Sequence, residues 1–204
     1  KSKITKVKTS DQKNTSTYIY QLERQIISIL LKYGAEEIMF EDIILSKDEN
    51  GKLIETKKDI RSKVFEKIYL DLQQDEIEFT HSPFKSIYNK LIDGFHNQES
   101  LSIDNFINDL DSNSSKIVSD ILINDDKYQL HDWERKNIYV KKIGSELSQL
   151  VNETILNMRR YLIDKKINEL QEFQKDGSKL DVLEEVMSYY KLKKMLSAKL
   201  NRVV

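Results

Sequence analysis

Apolar positions along the chain recur at helical spacing in most segments, and the breaks between them set the expected elements. Tyr18, Leu22, Ile26, Ile29, Leu30 and Tyr33 fall on one helical face, and Ile19, Ile27 and Leu31 widen it. The spacing predicts a helix over 18–33, stopped by Gly34. A stripe this broad needs cover on more than one side, which places the helix centrally in a bundle. Ile60, Val64, Phe65, Ile68, Tyr69 and Leu72 mark a second helix, for which Thr56 and Asp59 resemble a capping box. Ser82-Pro83 reads as a third helix start, followed by Phe84, Ile87, Tyr88, Leu91, Ile92 and Phe95 on one face. Ser102 opens a short helix through Leu110, and another over about 113–123 buries Ile117, Val118, Ile121 and Leu122. Residues 36–55 are less regular, and IMFEDIIL reads as either a short helix or an extended segment.

The last third changes character. Leu147, Val151, Ile155, Met158, Leu162, Ile167 and Leu170 run through one long periodic segment, about 140–175. At ~1.5 Å per residue it spans ~54 Å, longer than a small bundle is wide. Asp176-Gly177-Ser178 breaks it, and Leu183, Val186, Tyr190, Leu196 and Leu200 mark a final helix over about 179–201, folding back as an αα-hairpin. The expected fold is all-α, with a bundle of about five helices, then a long helix and a C-terminal helical hairpin. The boundaries are an arm or linker over 1–17, a bundle over 18–139 and the long helix with its hairpin over 140–204.

Composition sharpens this picture. One Pro and five Gly in 204 residues are too few turn-formers for an all-β fold. The 33 basic residues nearly balance the 34 acidic ones, giving a net charge of −1, unlike the clustered excess of base on a free-standing nucleic-acid binder. Residues 1–17 do hold five lysines, and the segment reads as a solvated arm or as a basic arm touching nucleic acid. Cys is absent, which rules out disulfides and thiolate metal sites and fits a reducing, cytoplasmic setting. No apolar run approaches the ~20 residues that span a bilayer, so no membrane contact is expected. A first residue of Lys suggests a fragment of a longer protein.

Candidate chemistry is sparse. His81, His96 and His131 are scattered, without an i, i+4 partner, and read as surface or capping residues. Asp109-Leu110-Asp111 has a metal-holding DxD spacing but sits in a helix-ending loop amid Ser and Asn. Asp48, Asn50 and Gly51 sit at calcium-loop offsets. That register, however, puts Ser46 first and Lys57 twelfth, where a bidentate Glu belongs, so Asn50-Gly51 is read as a turn. No catalytic residue, cofactor or metal is expected. Arg159, Arg160, Lys165, Lys166, Lys191, Lys193 and Lys194 interleave with Tyr161, Tyr189 and Tyr190 on the hairpin. That pattern suits a solvated amphipathic surface, a protein-docking face or a nucleic-acid strand.

Three segments together resemble a known family. YQLERQIISILLKYG at 20–34, YQLHDWERKNIYV at 128–140 and YYKLKKMLSAKLNRVV at 189–204 are similar to stretches of the C-terminal, helicase-interacting domain of bacterial replicative DNA primase (DnaG). The resemblance covers about 18–204 and departs from better-known members at 36–58 and around Trp133. It implies a non-catalytic module that binds the N-terminal domains of the hexameric replicative helicase, recruits primase to the fork and modulates helicase activity. Some members also bind the tail of single-stranded DNA-binding protein. The expected contacts are Tyr189, Tyr190, Lys193, Lys194, Leu196, Leu200 and Arg202, with the isolated chain a monomer or weak dimer. The alternatives are an N-terminal assembly domain of the helicase itself and a helical nucleic-acid-binding module. Trp133 is expected to wedge the bundle against the long helix.

Overall fold

The computed structural model describes residues 8–47, 53–97, 102–132, 143–175 and 180–202. Among them are seven helices and one two-stranded sheet. In chain order these are α1 (Lys8–Tyr33), β1 (Glu37–Lys47), β2 (Leu53–Lys63), α2 (Val64–Gln74), α3 (Ser82–Asn97), α4 (Ile103–Asn108), α5 (Ser112–Asp132), α6 (Ile143–Lys175) and α7 (Leu180–Arg202). The fold is predominantly helical, as the periodicity predicts. Two compact units divide it: one is Arg24–Val151, the other joins Lys1–Glu23 to Asn152–Val204. Both α1 and α6 are cut by this division, which therefore differs from the expected boundaries at 17/18 and 139/140. Residues 8–17, expected as an arm, form the first turns of α1.

The unit Arg24–Val151 is built on the widened apolar stripe of α1. Ile26, Ile27, Ile29 and Leu30 are almost wholly buried there, together with Val64, Phe65 and Ile68 of α2, Ile87 and Leu91 of α3, and Val118 and Ile121 of α5. Gly34 ends α1, its N–H donating to the Leu30 carbonyl at 3.0 Å while its own carbonyl accepts from the Phe65 N–H at 3.0 Å. No side chain fits there. A Cβ on Gly34 would lie 2.5 Å from the Leu30 oxygen and 2.6 Å from Phe95 Cε2. The Phe95 ring is held in turn by stacking on Phe65, with centroids 5.0 Å apart and planes inclined 14°.

Between Glu36 and Lys63, the extended one of the two alternatives for 36–55 holds, and the helix expected from Thr56 is corrected to a strand. This stretch is an antiparallel hairpin, in register from Glu37↔Lys63 through Phe40↔Ile60 to Lys47↔Leu53. Thr56 does not start a helix; it pairs with Ile44 across the ladder. Helix α2 begins instead at Val64, where the Glu66 carboxylate accepts the Lys63 N–H at 3.2 Å and the Ser62 hydroxyl at 3.2 Å. That is the reciprocal half of a capping box, seven residues beyond the expected one. The Asn50-Gly51 turn, the Asp176–Ser178 break and Trp133 lie outside the described residues.

Smaller differences concern the caps. Ser102 takes the N-cap position of α4, but its hydroxyl accepts no backbone N–H of the first turn. Asp109 is the C-cap of that helix, while the Asp111 Oδ1 accepts the N–H groups of Asn113 and Ser114 at 3.0 Å each. The two residues of the DxD spacing thus serve opposite helix ends, Asp109 closing α4 through its backbone N–H and Asp111 opening α5 through its carboxylate. Hydrogen bonds from the Ser114 side chain and backbone hold the Asp111 carboxyl below the usual range.

Candidate functional site

In the unit Lys1–Glu23 with Asn152–Val204, α6 and α7 run antiparallel and share a small core. Ile163 and Ile167 of α6 are buried with Val186 and Leu196 of α7, and Leu156, Leu170 and Tyr189 pack against them. Two polar contacts fix the register: the Lys193 ammonium pairs with the Asp164 carboxylate, and Gln171 Nε2 donates to the Tyr190 hydroxyl at 3.2 Å. Helix α1 belongs to the same unit through its first turns, where the Tyr18 ring lies 6.2 Å from that of Tyr161. Burial, and after it the nearby charge of the wholly buried Glu23, pushes the Tyr161 hydroxyl above its ordinary pKa.

One face of α7 suffices for this core, which leaves much apolar surface outside it. Leu183, Met187, Tyr190, Leu192 and Met195 are each between 42 and 60% exposed. Leu183, Met187 and Tyr190 recur at i, i+4 and i+7, so they form one outward stripe continued by exposed Lys194. Contiguous exposed apolar surface on a helix marks an interaction site more often than isolated apolar residues do.

The anticipated contact residues divide along this geometry. Tyr190 and Lys194 are exposed; the Tyr190 hydroxyl accepts from Gln171 of α6, and the residue stands 47% exposed at the edge of the outward stripe. Tyr189 is half-buried against the hairpin core, Lys193 is tied to Asp164, and Leu196 is buried in the core itself. Leu200 and Arg202 fall on α7, but their side chains lie outside those described. Leu183, Met187, Leu192 and Met195 were not among the anticipated contacts. A helical wheel of α7 carries the signal for them: apolar residues occupy far more of its circumference than a single core-facing stripe.

Elsewhere the chemistry is structural. His96 stands edge-on to Phe65 and Tyr69, at centroid distances of 5.3 and 5.4 Å. His81 Nδ1 lies 3.2 Å from the Thr80 hydroxyl, and the His131 side chain is outside those described. Among the described residues no three His, Asp or Glu side chains gather as metal ligands. A hollow of about 220 Å³, lined by Lys90, Asp93, Ser102, Asn105, Phe106 and Asp109, is smaller than the ~300 Å³ at which small-molecule pockets begin. The Lys90 ammonium already donates to the Asp109 carbonyl there, at 3.0 Å. No helix among the described residues is long and apolar enough to cross a membrane.

Fold and surface together define a largely helical protein of two units, one of which carries a helical hairpin with an uncovered apolar stripe. Within that class the chain belongs to the family described as a domain of unknown function, DUF8430, whose model matches residues 8–203. No curated protein and no solved structure matches it.

Proposed function

We propose that the chain is a non-catalytic protein-docking module whose working surface is the outward stripe of α7. The partner is the N-terminal region of the hexameric replicative helicase in the cytoplasm, and docking recruits a primase-type enzyme to the fork. The choice of partner rests on the sequence resemblance of residues 18–204; the choice of surface rests on the stripe. One observation carries the docking reading: Leu183, Met187 and Tyr190 stand exposed in a row on a helix that already fills its core with other side chains, Val186, Tyr189 and Leu196. Tyr and Met are favoured at interface centres, where a rigid ring or a pliable thioether buries much area for little ordering cost. Exposed Lys191 and Lys194 beside them would steer encounter and make binding salt-sensitive.

Pull-down of the helicase by the full chain, repeated with Met187→Glu, tests this reading. Wild type retains the hexamer and the variant loses it. Equal retention by both removes α7 from the interface, and retention by neither removes the helicase as partner.

A further inference from the structure

The charges along α7 point to a second occupant of the same stripe. Glu184 is exposed at its N-terminal end, and Lys191 and Lys194 are exposed toward its C-terminal end. None of these three makes an ion pair among the described residues, in contrast to Lys193, which Asp164 holds. A face that is acidic at one end, apolar in the middle and basic at the other is complementary to itself when reversed. A parallel copy would set Glu184 on Glu184 and Lys194 on Lys194. An antiparallel copy sets each acid against a base.

We infer that α7 pairs antiparallel with α7 of a second copy of this chain, about a two-fold axis passing beside Ser188 and Tyr189. In that register Met187 faces Tyr190 of the second copy, and the contact occurs twice, as an isologous interface requires. A thioether on a phenol ring is a favourable pairing. Leu183 covers the aliphatic stem of Lys194 from the other chain, and Glu184 comes within reach of Lys194 and Lys191. The net charge of −1 leaves little long-range repulsion between copies. One helical face is a small interface, so the dimer is weak, with Kd on the order of 10–100 µM. Because dimerisation and helicase docking would use the same stripe, each copy would mask the other until the hexamer displaced it.

Sedimentation equilibrium of the full chain alone, over a concentration series spanning that range, tests the pairing. Wild type should show a reversible monomer–dimer equilibrium, and Met187→Glu should weaken it by about tenfold or more, through an unpaired charge in each of two symmetric contacts. Glu184→Lys and Lys194→Glu should each weaken it roughly tenfold, and the combined double variant should recover wild-type affinity. Circular dichroism confirms helicity in every variant. A chain monomeric at all concentrations overturns the pairing and assigns the stripe to other proteins. A dimer indifferent to Met187→Glu overturns it by placing the interface elsewhere, and absence of rescue in the double variant overturns the antiparallel register. No helicase enters this experiment, so its failure and failure of the docking reading are separable.

Discussion

Substituting Gly34 by Ala sets two effects of opposite sign against each other. In an unconstrained position, Gly→Ala stabilises by about 0.4–1 kcal/mol because the unfolded chain loses freedom. Here the added Cβ would sit 2.5 Å from the Leu30 carbonyl oxygen and 2.6 Å from Phe95 Cε2. The oxygen is backbone, already engaged by the Gly34 N–H at 3.0 Å, and cannot retreat without opening the last turn of α1. The Phe95 ring can move only by leaving its 5.0 Å stack on Phe65. Overpacking of this kind costs about 1–3 kcal/mol, and losing an aromatic pair costs a further ~0.5–1.5 kcal/mol. The clash therefore wins, with a net loss of about 1–4 kcal/mol. At ~2–4 °C per kcal/mol for a chain of this length, Tm should fall by about 2–15 °C. Thermal unfolding followed by circular dichroism reads this directly, and adding Phe95→Leu to Gly34→Ala should recover part of the loss. A Gly34→Ala variant as stable as wild type, or more so, would refute the packing at the end of α1.

Further outcomes concern the hairpin and the caps. Ile167→Ala should destabilise the α6–α7 hairpin by about 2–4 kcal/mol, whereas Lys193→Ala should cost under ~1 kcal/mol because its ion pair is one-third exposed; limited proteolysis of α7 and chemical denaturation rank the two. Asp111 has a depressed carboxyl pKa, so its contribution to stability is present above the ordinary Asp value and is lost as pH falls through the folded value. Asp111→Ala should lower stability at neutral pH and shrink the loss on acidification, as denaturation midpoints at a series of pH values would show. Burial pushes the Tyr88 hydroxyl up to about 12, so its contribution is complete below the ordinary Tyr value and disappears as pH rises through the folded value. Alkaline unfolding of Tyr88→Phe should accordingly begin at higher pH than that of wild type.

Helices were legible in this sequence and the sheet was not. The stripes of α1, α3 and α5 are wide and regular, so their burial follows from spacing alone, down to Ile26, Leu91 and Val118. The strands lack that clarity. EIMFEDIILSK mixes apolar and acidic residues without strict alternation, and LIETKKDIRSK carries so much charge that Thr56 and Asp59 look like a helix start. What decides their conformation is cross-strand pairing, such as Phe40 opposite Ile60 and the Arg61–Glu37 ion pair at 3.1 Å, a property of two segments that neither shows by itself. The outward stripe of α7 was half legible for a related reason. Tyr190 and Lys194 stand out by residue type, but Tyr189, Lys193 and Leu196 share that type and are spent on the hairpin's interior. Only the choice of which α7 face meets α6 separates the two groups, and it also brings Met187 and Leu183 to the surface.

Hydrogen exchange of the full chain, with and without a saturating amount of the hexameric helicase, tests the central claim most directly. α7 is held to its neighbour by few buried side chains, so its amides should exchange readily in the free chain. The account predicts new protection along residues 183–195 on adding the helicase, with β1 and β2 unchanged. Protection confined to the β1–β2 hairpin, or none anywhere, would contradict it.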